Sequence, residues 1–187
     1  MDLMISELTS RLIPAATHAE APDILYYATG SCALGQVLVA RSAKGVCAIL
    51  IGDGQGELEA DLAARFPRAK LVANAAVVRA DLAKASRFVD EPAEGLRLKL
   101  DLRGTAFQRR VWEKLRAIRV GRTVTYMELA SWIGPLASPR AIAGACAANP
   151  IALAVPCHRV VCSNGDLAGY RWGIERKREL IRKEATA

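Results

Sequence analysis

The spacing of apolar residues changes once along this chain, near Arg103 to Thr105, which restricts the fold to a strand-bearing part followed by a helical one. Upstream, Tyr26 to Gly52 reads YYATGSCALGQVLVARSAKGVCAILIG, in which Gly30, Gly35 and Gly45 separate short runs of Val, Leu, Ile and Tyr. Such runs form strands and hairpins, with GQVLVARS and GVCAILIG the clearest pair. ELEADLAARFP follows with helical spacing and stops at Pro67. A short LVAN run, a helix from about Val77 to Val89 and an alternating edge strand, GLRLKLDL, complete a small α/β unit. Downstream, Thr105 can cap AFQRRVWEKLRAIR, where Phe107, Val111, Leu115 and Ile118 recur at helical steps. Thr125 opens a second helix through YMELASWIG, PLASP turns the chain, and Pro139 leads into RAIAGACAAN. Helices in this order match a helix-turn-helix module. We expect an extension at 1–23, a supporting α/β unit at 24–101 and a mostly helical unit at 102–187.

Charge divides at the same place. Residues 1–104 carry 12 Lys and Arg against 13 Asp and Glu, whereas residues 105–187 carry 14 against 6. The second part is the one suited to a polyanion. Yet its RAIAGACAA helix offers Arg140 and almost nothing else that could bond to base edges in a major groove. Small residues there permit close approach of a backbone to a groove wall, and equally permit tight packing in the core; both can hold on opposite faces.

Five cysteines, Cys32, Cys47, Cys146, Cys157 and Cys162, form no CxxC pair, and His18 and His158 are the only histidines. We expect reduced thiols, no metal and no cofactor. No apolar run is long enough for a membrane span, and the acidic MDLMISELTSR start is unlike a signal peptide, so the expectation is a soluble cytoplasmic protein.

The chemistry concentrates where IALAV ends in PCHRVV. Pro156 fixes the backbone before Cys157, and His158 and Arg159 set ionisable groups beside a sulfur that must become a thiolate to act as a nucleophile. Neighbouring side chains in an extended segment point apart, so a water could carry the proton between Cys157 and His158. Acids able to orient that histidine are Glu113, Glu128, Asp166, Glu175, Glu179 and Glu184, and spacing does not choose among them. In the last helix Ile174, Arg178 and Ile181 fall at helical steps. A cysteine hydrolase and a lesion-binding protein without chemistry are the rival readings; the first leaves the basic helices unexplained and the second leaves Cys157 unused.

FQRRVW, TVTYMELA, RAIAGACAANP, PCHRVV, NGDLAGYRWG and RKRELIRKEA together resemble the O6-alkylguanine-DNA alkyltransferases, over about Ala28 to Glu184. The GYRWG form looks most like the C-terminal domain of the bacterial adaptive-response protein. The resemblance implies a small ribonuclease-H-like α/β domain followed by a winged helix-turn-helix-like catalytic domain. It implies irreversible, single-turnover transfer of an alkyl group from guanine O6 to the protein, with weaker action on O4-methylthymine. On its pattern Cys157 is the alkyl acceptor, His158 the base acting through water, Glu184 its orienting acid and Asn149 the brace of the reactive loop. Tyr126 meets the target phosphate and donates to guanine, and Arg140 fills the space of the extruded nucleotide. Ala147, Val160, Tyr170 and Arg171 face the base or DNA. The implied partner is double-stranded DNA carrying O6-alkylguanine, gripped through its minor groove by a protein that is monomeric without DNA. Two departures stand out. Arg171 and Trp172 occupy positions where some relatives have Ser and Gly, which implies either a narrower pocket or an added DNA contact, and Cys32 and Cys47 do not reproduce the zinc set of some animal relatives.

Overall fold

A computed structural model describes residues 23–187. The expected extension, His18 included, lies almost wholly outside the described residues. The sheet opens with β1 (Ile24–Cys32), β2 (Gly35–Arg41) and β3 (Val46–Gly52), an antiparallel meander, and β4 (Lys70–Ala73) joins parallel to β1, giving the order β3-β2-β1-β4. The parallel join requires a crossover, supplied by α1 (Gln55–Arg65), and α2 (Ala75–Asp90) follows, capped by the Asn74 side chain on the Val77 amide. Every residue of β3 is buried, because helices cover one face and the downstream helical part covers its surroundings.

The alternating GLRLKLDL segment does not become a strand. Leu96, Leu98, Leu100 and Leu102 keep the alternation and rest on the core, but the backbone pairs with the sheet at one place, through Val46 to Lys99 (2.8 Å) and Asp101 to Val46 (2.8 Å). The rest of the β3 edge is taken by another segment. Ile49 donates to the Pro150 carbonyl (3.0 Å) and the Ala152 amide donates back to Ile49 (2.9 Å). An edge strand offers one row of bonding groups, and here two segments divide it.

The helical part comprises α3 (Ala106–Arg116), α4 (Tyr126–Ile133), α5 (Pro139–Ala147) and α6 (Ile174–Ala185), with a short parallel pair, β5 (Val124–Thr125) and β6 (Val160–Val161). Thr105 and Thr125 each form a full capping box, with Gln108 and Glu128, so both helix starts are fixed by sequence. Helix α3 stops at Arg116, three residues before the expected end, although Ile118 stays buried. Trp112 threads between helices and donates from its indole nitrogen to Ala145 at 2.9 Å. The buried face of α6 is Lys177, Leu180 and Glu184; of the residues noted at helical steps, Ile174 and Ile181 are half-buried and Arg178 is exposed. Two of its three inward positions carry charge. A single cluster of buried side chains runs from Leu25 in the sheet to Leu180 in α6.

Candidate active site

The segment from Asn149 to Cys157 is a loop tied by one side chain. Asn149, fully buried, accepts from the Ile151 amide (2.9 Å) and donates through Nδ2 to the Val155 carbonyl (2.8 Å) and to the Cys157 sulfur (3.3 Å). Inside this loop Leu153 has φ of 66°, a left-handed conformation that a branched side chain adopts only under constraint from its surroundings. The constraint comes from Asn149 within and from the β3 edge at Ile49 outside. Sequence order thus sets the sulfur at a defined point at the start of a short 3-10 turn, Cys157–Arg159.

Behind the sulfur lies a buried ionic group. His158 Nε2 meets Glu184 Oε1 at 2.9 Å, while Arg159 grips the same carboxylate through Nε and Nη2, both at 2.8 Å. Arg159 also donates to the Ile118 carbonyl, and the Gly121 turn packs on the Glu184 backbone so closely that a Cβ would come within 2.8 Å of its carbonyl oxygen. Burial alone would raise the Glu184 carboxyl, but hydrogen bonds from His158 and Arg159 outweigh it and hold the group down at about 2. For His158 burial wins over the Glu184 contact and lowers its affinity for a proton. A neutral imidazole facing a carboxylate through Nε2 carries its hydrogen there, which leaves Nδ1 as the basic nitrogen. Nδ1 is buried and has no protein partner among the described residues.

Burial likewise pushes the Cys157 thiol up to about 11, opposed by the Asn149 hydrogen bond and by the charge of Lys177. Lys177 is fully buried, donates to the carbonyls of Val160 (2.6 Å) and Ala168 (3.1 Å), and has no acid partner among the described residues. A buried ammonium without a counter-ion favours any anion that forms nearby, and the nearby candidate is a thiolate.

In front of the sulfur a cavity of about 630 Å³ opens, lined by Tyr126, Pro139, Ala143, Cys146, Ala147, Cys157, Cys162, Ala168, Gly169, Tyr170 and Arg171. Burial pushes the Tyr126 and Tyr170 hydroxyls well up, so both stay neutral O–H donors. Tyr170 stands edge-on to His158, with ring centres 6.3 Å apart. The α5 helix presents two different faces. Ile142, Ala145 and Cys146 point inward, whereas Arg140, Ala141, Gly144 and Ala147 face out, and a Cβ on Gly144 would meet open space. One face of this small-residue helix therefore packs in the core and the other is left open.

Of the residues expected at the site, Cys157, Tyr126, Ala147, Tyr170 and Arg171 line the cavity; Asn149 bonds to the sulfur from behind, and His158 and Glu184 are buried and paired with each other. Arg140 is exposed beside the cavity-lining Pro139. Val160 departs from expectation: it is fully buried in β6, paired with Val124, and gives the site its carbonyl rather than its side chain. Trp172 also departs, since it borders a neighbouring cleft and not the cavity itself. Sequence reasoning missed Lys177 and the role of Arg159. The available signal was the 3- and 4-residue spacing that aligns Lys177 and Leu180 with Glu184 on one helical face. Among the described residues no group of three or more His, Cys, Asp or Glu side chains could hold a metal, and no helix is long and apolar enough to cross a membrane.

Residues 106–186 match the family model described as the 6-O-methylguanine DNA methyltransferase DNA binding domain. The crystal structure of Mycobacterium tuberculosis O6-methylguanine methyltransferase shares 30% identity and superposes with a TM-score of 0.67 over 87% of this chain and 93% of that one. The chain belongs to the O6-methylguanine methyltransferase family. The mycobacterial protein has also been seen in complex with DNA, and that form superposes equally well, at a TM-score of 0.67 over 86% of this chain. The Escherichia coli bifunctional transcriptional activator/DNA repair enzyme Ada is 45% identical over 159 residues, 85% of this chain. This methyltransferase-family chain spans about half the length of such curated relatives, 45% in the case of Ada. Its N-terminal mixed sheet followed by a helix-turn-helix-like part is the family architecture.

Proposed function

We propose that the protein repairs O6-alkylguanine in duplex DNA by moving the alkyl group to Cys157, once per molecule, and acts more weakly on O4-methylthymine. The observation that carries this reading is the placing of the Cys157 thiol, held by Asn149, at the inner wall of a mostly apolar cavity. A neutral histidine and a clamped carboxylate stand behind it, and a small-residue helix stands at its mouth.

The alkylated guanine enters the cavity after leaving the base stack, at a cost of a few kcal/mol that Arg140, inserted from the start of α5, offsets. The outward face of α5 lies along the minor groove, where small residues allow backbone and groove to approach. The thiol proton passes through a water to His158 Nδ1, and Glu184 and Lys177 stabilise the resulting imidazolium and thiolate. The sulfur then forms a bond to the alkyl carbon as the carbon–oxygen bond breaks, and guanine O6 keeps the electron pair. Tyr126 donates to the purine, and the proton released from the thiol ends on guanine. A thioether has no leaving group to release, so the protein is not regenerated.

The division into a supporting unit at 24–101 and a catalytic unit at 102–187 belongs to the same reading, supported by a family match that begins at residue 106. So do a monomeric state without DNA and a cytoplasmic setting, which suits five free cysteines. Incubation with O6-methylguanine duplex, followed by intact-mass measurement, tests the proposal. A stable gain of one methyl that disappears in Cys157→Ala supports it; binding without mass change, or release of product from an ester, refutes it in favour of a lesion binder or a hydrolase.

A further inference from the structure

The alkyl cavity has one charged side chain on its wall among the described residues, Arg171, and that residue serves two spaces at once. It borders the cavity in front of Cys157 and also a second cleft of about 500 Å³ lined by Glu57, Asp61, Trp172 and Arg176 among others. Arg171 is the partition between them. Its guanidinium spends one donor, Nη2, on Asp61 Oδ1 at 2.7 Å, and its side chain is 42% exposed. A guanidinium has five N–H donors, so most of its bonding capacity stays open.

Asp61 is not dependent on Arg171. It also accepts from Arg65 Nε at 3.1 Å, one turn along α1, and Arg65 Nη2 is buried without a partner. If Arg171 turned away, Asp61 would keep a neighbouring cation. The exchange of one carboxylate for another on Arg171 is therefore close to balanced, and the second cleft provides room for the movement.

We infer that Arg171 sets a preference for acidic O6 substituents by accepting their carboxylate, as in O6-carboxymethylguanine, with Asp61 as the competing anion that holds Arg171 when such an adduct is absent. This inference rests on the proposed alkyl transfer. Atoms balance as for methyl: the Cys157 sulfur bonds to the CH2 that bears the carboxylate, the bond to guanine O6 breaks, and the thiol proton ends on guanine. The carboxylate stays on the transferred group, beside Arg171.

The experiment compares single-turnover rates on duplexes carrying O6-carboxymethylguanine and O6-propylguanine, which are similar in size and differ in charge. The ratio is taken within each variant, so that any change in DNA binding cancels. A charge-assisted pair is worth about a ten-fold to hundred-fold change. Arg171→Met lowers the carboxymethyl-to-propyl ratio by about that factor, Arg171→Lys lowers it less, and Asp61→Asn raises it. Equal ratios in the wild type, Arg171→Met and Asp61→Asn overturn the assignment. O6-methylguanine duplex run alongside separates the two levels. Absence of methyl on Cys157 there defeats the alkyl transfer itself, whereas methyl transfer with an unmoved ratio defeats only the role given to Arg171.

Discussion

Glu184 has two duties, orienting His158 and neutralising Arg159, and its replacement exposes both. Glu184→Gln leaves Arg159 buried without its anion, a loss of about 3–5 kcal/mol, visible as a lower melting temperature. It should also slow alkyl transfer on the order of a hundred-fold, since His158 loses the partner that fixes its proton on Nε2. The sign with pH follows from a carboxyl held at about 2 against an ordinary 4.5. Its contribution to stability is full above about 4.5 and is lost as pH falls through about 2. Urea unfolding followed down this window should show a decline in the wild type that Glu184→Gln lacks. Lys177→Met should slow transfer by roughly ten-fold, because the thiol becomes still harder to ionise, and should move the rise of rate with pH to higher pH. An unchanged pH profile would reduce Lys177 to a tie between Val160 and Ala168. Residues with a diagnostic neighbourhood, such as Cys157 in PCHRVV, were legible in the sequence. Lys177 was harder to read, because charge on a terminal helix ordinarily means a solvated face and only its spacing from Leu180 and Glu184 argued otherwise; Arg159 was hidden because its carboxylate partner lies 25 positions away, in α6.

At the scale of elements, α5 carries the claim about DNA. Its outward face includes Gly144, where the fold has room for a side chain because open space surrounds the position of a Cβ. Gly144→Gln should leave stability equal or raise it by up to about 1 kcal/mol through helix propensity. It should nevertheless weaken binding to duplex DNA about ten-fold or more by holding the helix off the groove. Measured by unfolding and by duplex titration, a parallel loss of both would show that the face is structural. Arg140→Ala should slow repair of a duplex lesion while sparing reaction with the free O6-alkylguanine base, since only the duplex requires a nucleotide to be held out. Helix starts were legible from Thr105, Thr125 and Pro139, which act through local bonds. The fate of GLRLKLDL was not, because its alternation was correct and the competition for the β3 edge came from Pro150–Ala152, about 50 positions further along the chain.

Across the whole molecule, the sheet supports the chemistry through backbone contact rather than through a catalytic side chain. Ile49 in β3 bonds on both sides to the loop that Asn149 ties to the sulfur, and one apolar cluster joins sheet and helices. The two parts should therefore unfold together. All three tryptophans lie in the helical part, whereas helices lie in both parts, so fluorescence reports on the downstream part alone and far-ultraviolet circular dichroism on the whole. Their urea transitions should coincide, and two separated midpoints would contradict the coupling. The order of units was legible from the change of apolar period, whereas their sharing of one edge and one core arises only in three dimensions. The central claim, that one thiol captures one alkyl group and keeps it, is tested most directly by intact-mass and peptide analysis after exposure to excess O6-methylguanine duplex. A single methyl confined to Cys157, with repaired guanine equal in amount to active protein, is the predicted result; repair that continues beyond one equivalent, or repaired DNA beside an unmodified Cys157, would contradict it.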